Sequence, residues 1–268
     1  MALIAKVSAK LSPGASTAAL ACTLAWPGRT LLAECDPAGG DILAGYLGHL
    51  EIPSGHGLLA IAKADLRDQL AHAFWGQLID LDAPHRRRLV LPGITDPAQA
   101  TTVRDMWPRL AALFAELEYA EPGYDVIADC GRLSGAHTPW PVLARADLVL
   151  LVLRPTCLRT VSPAIPAVSL LRRQLTEANG RHDAVGLLLI GDGDYNRREV
   201  ERKVCAPVVA HLPDDRRTAD ALCGIGQLRG SRDLMRHAAS AHEPIRAAIE
   251  RRRAQPRPAV LQGVHRGR

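Results

Sequence analysis

Seven short apolar runs, separated by stretches with helical periodicity, constrain the fold of this 268-residue chain more than any other feature. Short runs bounded by polar or turn residues are typical of strands buried on both faces. The runs are Leu3–Ser8, Thr30–Glu34, Arg88–Leu91, 125–129, Leu148–Leu153, Val185–Ile190 and Val208–Leu212. Helices are expected over residues 16–25, 98–117, 160–175, 214–222 and 231–253, and the third of them is expected to break near its start at Pro163 and Pro166. The alternation predicts an α/β fold, with a mainly parallel twisted sheet of about seven strands and helices on both faces.

The composition is that of an ordinary globular protein, with 47% apolar and 23% charged residues. No apolar run approaches the ~18 residues of a membrane span. The chain also enters a strand pattern at once, so we expect neither a transmembrane segment nor a signal peptide. The six cysteines form no C-x-x-C pair, which favours reduced thiols and a cytoplasmic protein. The preference for arginine over lysine suggests a GC-rich coding genome.

Positive charge is concentrated near the end of the chain. Residues 228–268 hold ten arginines against three acids, a net charge of +7, whereas the whole chain has +5, so residues 1–227 sum to −2. We expect residues 1–227 to form one α/β domain, 228–254 a basic helical extension of it, and 255–268 a disordered tail. The basic arm either contacts DNA, which would associate the protein with the nucleoid, or is a solvated helix end.

Between the first strand and the first helix lies a segment with the layout of a phosphate-binding loop. Such a loop needs small residues, so that backbone N–H groups point at phosphate oxygens, and a helix N-terminus, which favours negative charge. Gly14, Ser16 and Thr17 meet both needs, and Ser16 stands where a hydroxyl would ligate magnesium. Where a P-loop carries lysine, this chain has Ala15.

Acidic residues stand at the ends of two other predicted strands. Asp36 follows the second run and Asp129 ends the fourth. Ligands bind beyond the carboxyl ends of strands in such sheets, so the loops 8–16, 35–41 and 130–135 are expected to meet at one site. The plainer alternatives stay open: both aspartates could cap helices or pair with arginines, and Ser16 could simply cap the first helix.

Over residues 1–225 the sequence resembles the ParA/MinD superfamily of deviant-Walker P-loop ATPases, and within it an actinobacterial MinD-like branch. The family loop is K-G-G-x-G-K-[ST], and here Lys10 matches its signature lysine within the degenerate sequence K-L-S-P-G-A-S. The segment E-C-D-P, with Asp36, resembles switch I (D-x-D-P), and Asp129 matches the Walker B aspartate, followed by switch II at 130–135. Four further motifs recur in the same order, at residues 91–93, 154–156, 191–193 and 212–215.

The resemblance implies roles for individual residues. Lys10 would reach the phosphates of a partner subunit in a nucleotide-sandwich homodimer, and Asp36 would organise magnesium and the attacking water, so these two are the candidate catalytic residues. Candidate ligands of Mg²⁺ are Ser16, Asp36 and Asp129. Candidate contacts of ATP or ADP are Lys10, Gly14, Ala15, Ser16, Thr17, Pro213 and Asp214, the last two near the adenine. If Lys10 is not used in this way, it is a solvated loop lysine.

The departures from the family loop weaken the expected site. Ala15 removes the positive charge that the lysine places on the phosphates in cis. A charge-assisted hydrogen bond contributes roughly 1.5–3 kcal/mol, so this loss corresponds to affinity weaker by about 10–100-fold. Pro13 has no N–H to offer, and Leu11 and Ser12 replace glycines that adopt unusual backbone angles. Glu34 replaces the first switch I aspartate.

Two functions follow from these observations. The first is a ParA/MinD-like nucleotide-dependent switch that positions or partitions DNA or another large cargo through a protein partner, with weak or dimer-dependent ATP binding and weak ATPase activity. The alternative is a pseudo-ATPase scaffold or adaptor, which keeps the fold and acts through protein or DNA binding without hydrolysis. A dehydrogenase or a serine hydrolase is disfavoured, because there is no nucleophile elbow and Asn196 stands where a third dinucleotide-loop glycine would follow Gly191 and Gly193.

Overall fold

Eight strands form one sheet in this computed structural model, which describes residues 2–10, 12–53, 55–133, 135–181, 183–227 and 233–254. The strand order is β3-β4-β2-β5-β1-β6-β7-β8. The strands are β1 (Leu3–Ser8), β2 (Thr30–Glu34), β3 (Ile79–Asp80), β4 (Arg88–Leu91), β5 (Asp125–Arg132), β6 (Leu148–Leu153), β7 (Val185–Ile190) and β8 (Val208–Leu212). All neighbouring pairs are parallel except β3 with β4. The predicted mainly parallel sheet is confirmed.

The sheet differs from the sequence-based expectation in two places. Strand β5 continues three residues beyond the predicted end at Asp129, as far as Arg132. The antiparallel edge strand β3, which pairs Ile79 with Val90 and Asp80 with Leu89, was not predicted. Two residues are too few to show any hydrophobic period, so the sequence carries no signal for this strand.

Helices cover both faces of the sheet, as predicted. They are α1 (Ala15–Ala25), α2 (Leu58–Asp65), α3 (Leu70–Phe74), α4 (Ala100–Val103), α5 (Trp107–Glu116), α6 (Trp140–Arg145), α7 (Leu158–Val161), α8 (Ala164–Asn179), α9 (Arg197–Val204), α10 (Arg216–Leu222), α11 (Asp233–Ser240) and α12 (His242–Arg253). None of these described helices is both long and apolar enough to cross a bilayer. The predicted tail 255–268 and residues 228–232 of the predicted basic extension lie outside the described residues.

Three predicted helices are interrupted, and prolines account for the breaks. Residues 98–117 divide into α4, a short 3₁₀ turn and α5, which has Pro108 in its first turn. The break expected near the start of 160–175 is found at Pro163, which separates α7 from α8. The segment 231–253 breaks at Ala241, just before α12, whose first turn holds Pro244. A proline lacks the N–H that continues a helical ladder, but it fits the first turn of a new helix.

Two hydrophobic layers hold the sheet, because successive side chains of a strand point to opposite faces. On one face Ile4 of β1 packs in a cluster with α1, α10, α11 and α12. On the other face Ala5 of β1 packs in a cluster with helices that include α2, α5, α6 and α8. Every residue of β1 and β6 is buried, which explains why β6 is a continuous apolar run in the sequence and why β1 is apolar apart from Lys6 and Ser8.

The chain order creates a crevice beside β1. Strands β2, β4 and β3 lie on the β5 side of β1, and strands β6, β7 and β8 lie on its other side. The connections of the sheet therefore run in opposite directions on the two sides of the β5–β1 pair. Such a switch point leaves a crevice outside the carboxyl ends of the strands, which is where open α/β sheets bind ligands.

Candidate functional site

A cavity of about 500 Å³ lies at this carboxyl edge. Its walls come from the loop that follows β1 (residues 12–17) and from Asp36 after β2, Arg132 at the end of β5 and Arg154 after β6. The cavity lies within the range of about 300–1,000 Å³ that is usual for ligand sites. The structure thus brings the three predicted loops together at one place.

The N-terminus of α1 opens into this cavity. Gly14 has φ 101° and ψ 33°, a left-handed conformation that glycine adopts without penalty. The helical ladder begins with the N–H of Ala18, which donates to the carbonyl of Gly14 at 2.9 Å. The N–H groups of Ala15, Ser16 and Thr17 therefore precede the ladder, and the first turn of α1 carries no acidic residue. These donors and the helix dipole favour an anion such as a phosphate group.

Asp129 is buried next to that helix start. Its carboxylate accepts a hydrogen bond from the side chain of Ser16 and another from the N–H of Gly131 at 3.1 Å. Burial raises the pKa of Asp129 to about 6, while these hydrogen bonds and the positive charge of Lys6 oppose the shift. The predicted pair Ser16 and Asp129 is thus in direct contact.

Asp36 ties the segment after β2 to the segment at the end of β5. Its carboxylate accepts the N–H of Ala38 at 2.7 Å. Gly131 has φ 62°, and a Cβ added there would lie 2.0 Å from the carboxyl carbon of Asp36. Burial raises the pKa of Asp36, whereas the N–H of Ala38 and the charge of Arg132 lower it. Only a glycine at position 131 allows this close approach.

Glu34 is a structural residue rather than a cavity residue. One carboxylate oxygen accepts the N–H groups of Asp41 at 2.7 Å and Ile42 at 2.9 Å, and the other accepts the N–H of Gly93 at 3.1 Å. Burial raises the pKa of Glu34 to about 7, although these three donors oppose the shift. The carboxylate therefore fastens the loop after β2 to the loop after β4.

Besides the buried Asp129, which contacts the lining residue Ser16, two groups of predicted site residues lie outside the cavity lining. Lys10 is exposed near the end of β1. Asp214 forms a two-pronged ion pair with Arg154, at 2.5 Å and 3.1 Å, and this pairing lowers the pKa of Asp214. Arg154 links Asp214 and its neighbour Pro213 to the cavity, since Arg154 is itself a lining residue.

The residues present fit a magnesium ion that is bound together with a phosphate ligand, because the protein supplies only some of the oxygen ligands and the phosphate would supply the others. Among the described residues no three His, Cys, Asp or Glu side chains lie close enough together to hold a metal ion. Magnesium prefers oxygen ligands and is commonly held by one or two carboxylates together with phosphate oxygens. Asp36 and Asp129, which interact electrostatically, and the hydroxyl of Ser16 supply such oxygens.

Sequence reasoning missed three cationic residues at or beneath the site. Lys6 is fully buried in β1, and its Nζ donates to the carbonyl oxygen of Ala18 at 2.8 Å. Arg132 and Arg154 line the cavity. Two signals were visible in the sequence: Arg154 begins one of the recurring motifs, and Lys6 stands inside an otherwise apolar strand, where a lysine is almost never fully buried without a partner.

Comparison with known proteins shows the fold. No protein-family model matches the sequence, and no curated protein matches it. A ParA family ATPase from Chlorobium tepidum TLS superposes with a TM-score of 0.65 at 17% identity, covering 90% of this chain and 98% of that one. MinD complexed with Mg-ADP, from Pyrococcus horikoshii OT3, gives 0.64 at 15% identity, covering 94% and 99%. MinD in a MinC:MinD complex from Aquifex aeolicus gives 0.62 at 14% identity, covering 96% and 98%.

The chain has the ParA/MinD fold. The ParA/MinD resemblance carried by the sequence motifs is therefore confirmed at the level of fold over most of the chain. The cavity lies in this ParA/MinD-fold sheet at the carboxyl ends of β1, β2, β5 and β6.

Proposed function

We propose that this protein is a ParA/MinD-like nucleotide-dependent switch that positions or partitions DNA or another large cargo. One observation carries the proposal: Gly14, Ser16, Asp36 and Asp129, each expected from the family motifs, converge around one cavity at the N-terminus of α1. The MinD neighbour that is complexed with Mg-ADP supports a nucleotide as the ligand. Weak hydrolysis of ATP is part of the proposal.

The chain's own residues divide the work of binding. The N–H groups at the start of α1 bind phosphate oxygens, and Ser16, Asp36 and Asp129 hold Mg²⁺, which supplies charge neutralisation to the phosphates when bound. Asp36, fixed between Ala38 and Gly131, orients a water molecule. Because Ala15 carries no charge, affinity in the monomer is low, and Lys10 of a second copy contributes the missing cation in a homodimer.

A protein partner belongs to the same proposal. One structural neighbour is from a MinC:MinD complex, which supports a protein partner, and we propose that binding of such a partner follows the nucleotide state. The basic arm after residue 227 is proposed to contact DNA non-specifically. In α12, however, Arg252 and Arg253 form ion pairs with acids of the domain, so the DNA contact relies on other arginines of the arm.

Calorimetric titration with ATP and with ADP, each with Mg²⁺ and at high protein concentration, tests the proposal. We expect weak binding that strengthens as the protein dimerises. Asp129→Asn is expected to weaken it by about tenfold or more, since it removes the acceptor charge of the Ser16 contact. Arg198→Gln, on exposed α9 away from the cavity, is the matched control. No detectable heat with either nucleotide at millimolar concentration would refute the proposal.

A pseudo-ATPase scaffold is the second candidate, and one observation favours it. The loop retains the shape of a phosphate site but not its chemistry, because Ala15 is uncharged and Pro13 lacks an N–H. Asp36 also has a structural use, since it braces Ala38 and Gly131. In that case Ala15→Lys creates nucleotide binding that the parent lacks, and Asp36→Ala leaves partner binding intact. Loss of partner binding in Asp36→Ala, with the fold retained, would count against the scaffold.

A further inference from the structure

We propose that a second cavity, at the edge of the sheet opposite the candidate nucleotide site, docks a short acidic, proline-containing segment of a partner protein. This cavity measures about 340 Å³ and lies where β2, β4 and β5 begin. Its lining includes Arg29, Arg86 and Tyr124, which stand just before those three strands. The inference goes beyond the proposed function, because the two cavities share no lining residue and the second needs no nucleotide.

Hydrogen bonds to one carbonyl group hold one wall of this cavity in place. The carbonyl oxygen of Arg86 accepts the hydroxyl of Tyr124 at 2.8 Å and the guanidinium of Arg29 at 3.0 Å. The N–H of Arg86 donates to the carboxylate of Asp80 at 3.0 Å, and Arg86 has φ 48°, a backbone conformation that is uncommon for residues other than glycine. These contacts fix the turn before β4, so a ligand does not have to spend binding free energy on ordering it.

Trp75 gives this cavity an exposed aromatic surface. The residue is 41% exposed, although its ring packs edge-on against the buried Phe74 at 5.4 Å and lies 6.1 Å from the ring of Tyr124. Pro84 and Pro122 add further apolar surface to the lining. Trp, Tyr and Arg are the residues that contribute most of the binding energy in protein interfaces. Grooves lined by such aromatic rings bind prolines of extended segments, which lose little conformational entropy on binding.

The charged groups of the cavity favour an acidic segment. Arg29 and Arg86 line it, and Arg87, the next residue along the chain, is exposed. Among the described lining residues Glu121 is the one acid. Residues 1–227 as a whole sum to −2, so the excess of arginine at this edge of the sheet is local. A guanidinium binds a carboxylate through a planar fork of N–H donors, so acidic residues of a partner would match this charge.

A nucleic-acid strand fits the same cavity less well. Such a strand binds along a basic track on which successive bases stack on separate aromatic rings. Of the two aromatic side chains in the described lining, Tyr124 is only 3% exposed, so Trp75 provides a single platform. One pocket with one exposed ring and neighbouring arginines suits instead a single apolar anchor that is flanked by acids.

Selection from a phage-displayed library of random peptides, each about twelve residues long, tests the proposal. The full chain is the bait, and the variant Trp75→Ala is used for counter-selection, so that only sequences whose binding needs Trp75 are kept. We expect these sequences to contain proline together with two or more acidic residues. Enrichment of basic sequences, or of none that depends on Trp75, overturns the proposal.

The best selected peptide is then labelled with fluorescein and titrated by fluorescence anisotropy. We expect Trp75→Ala to weaken its binding by about 10–100-fold, the effect of removing an interface anchor. Arg86→Gln is expected to weaken it by about 2–5-fold, because ion pairs of an exposed side chain are screened, and Arg86→Glu by more. The matched controls are Leu66→Ala and Arg198→Gln, an exposed apolar and an exposed basic residue outside the cavity lining, and both should bind as the parent does.

Thermal melting shows whether each variant is folded, and Arg86→Glu, at an exposed position, carries the comparison if Trp75→Ala does not fold. Folded variants that all bind the peptide as tightly as the parent overturn the proposal. A fluorescein-labelled thymidine oligonucleotide is titrated in parallel, and if it binds through Trp75 and Arg86 more tightly than the peptide does, the occupant is a nucleic-acid strand and the proposal is overturned. These titrations contain no ATP or ADP, so their failure leaves the proposed function standing, and failure of nucleotide binding leaves this docking site standing.

Discussion

The buried ammonium group of Lys6 on β1 donates a hydrogen bond to the carbonyl oxygen of Ala18 on α1 at 2.8 Å. Lys6 is also the register partner of Asp129 on β5, and its charge acts on that carboxylate. The sheet therefore carries a cation directly under the loop whose own lysine is missing. Lys6 thus interacts both with α1, through Ala18, and with Asp129, the residue to which the family motifs assign magnesium binding.

We expect Lys6→Met to destabilise the protein by about 1–3 kcal/mol, because Asp129 keeps its buried charge and loses the compensating one. Methionine has a similar length and no charge, so packing changes little. In the double variant Lys6→Met/Asp129→Asn the carboxylate is gone as well, and part of the stability should return. Urea unfolding of the parent, the two single variants and the double variant gives a coupling energy, expected to be about 0.5–3 kcal/mol. Strict additivity of the single effects would show that the two side chains act independently.

The two buried carboxyls predict a specific dependence of stability on pH. The pKa of Glu34 is raised from 4.5 to about 7 and that of Asp129 from 3.8 to about 6, so between those limits the folded state binds more protons than the unfolded state. The free energy of unfolding must then fall as pH rises through the window from about 4 to 7. Glu34 alone accounts for about 3 kcal/mol at most over this window. Urea midpoints measured in steps from pH 4.5 to 8 test this, and a stability that rises across the window would contradict it.

The variant Glu34→Gln measures how much Glu34 contributes to the fall of the free energy of unfolding with rising pH. The amide oxygen can still accept the N–H groups of Asp41 and Ile42, but the amide NH₂ would face the N–H of Gly93, so this contact is lost at a cost of about 1–3 kcal/mol. The variant is therefore less stable at pH 5 but shows a shallower decline toward pH 8. An unchanged slope would assign the pH dependence to groups other than Glu34.

The sequence predicted the sheet well because its central strands are buried on both faces. A strand such as β6 appears as an unbroken apolar run, which no other element of this length produces here. The two-residue strand β3 offers no such run, and α2 and α3 lie in a region whose period is weak. The break at Pro163 was predicted, but the helix boundaries near Pro108 and Pro244 were missed, because a proline both ends one helix and starts the next.

The sequence predicted those residues of the candidate site that belong to a local motif with a fixed spacing, and it did not predict the others. Gly14, Ser16 and Asp129 follow from the strand and loop pattern, and the structure brings them together. Arg132 depends on a bulge in β5, which shifts the register by one residue and leaves no mark on hydrophobic periodicity. The pairing of Arg154 with Asp214 joins residues 60 positions apart, and no local pattern encodes it.

The contact between Asp36 and Gly131 predicts a large effect of a single methyl group. In Gly131→Ala the new Cβ would stand 2.0 Å from the carboxyl carbon of Asp36, so Asp36 must move, and the left-handed backbone adds about 1–2 kcal/mol of strain. Gly135→Ala is the matched control, because Gly135 also has positive φ, at 92°, but nothing lies within 4 Å of its added Cβ. We expect Gly131→Ala to lose more stability and to lose ligand affinity as well, measured by urea unfolding and calorimetry. If both variants lost equal stability and equal ligand affinity, Asp36 would have to move away from the new methyl group without any free-energy cost.

The cysteines should differ sharply in their reaction with iodoacetamide. Burial and the neighbouring Cys35 raise the pKa of Cys130 well above its usual value, so its thiol stays protonated and shielded. The backbone N–H of Thr160 is the main group that lowers the pKa of the half-buried Cys157. At pH 7.5 we expect Cys157 and the exposed Cys205 to be alkylated within minutes, and Cys130 only after unfolding. Mass spectrometry of timed samples gives the order, and early labelling of Cys130 would show that β5 opens in the native state.

The arginines at the end of α12 should divide into stabilising and solvent-facing ones. Arg253 binds both oxygens of Glu118, at 2.9 Å and 3.0 Å, and also Asp147, while Arg252 binds Asp147 at 3.1 Å. Arg251 is exposed. We expect Arg253→Gln to lower stability by up to about 1 kcal/mol and Arg251→Gln to leave it unchanged, as shown by thermal melting.

DNA affinity should show the opposite order for the same two variants. Phosphate contacts release counterions, so each arginine that touches DNA adds about one unit to the slope of log affinity against log salt concentration. Arg253 already has carboxylate partners, and a phosphate would have to displace them, whereas Arg251 has its side chain in solvent. If the basic arm binds DNA, Arg251→Gln lowers the slope by about one unit and Arg253→Gln does not. A larger loss of slope in Arg253→Gln would mean that α12 releases its acidic partners when it binds DNA.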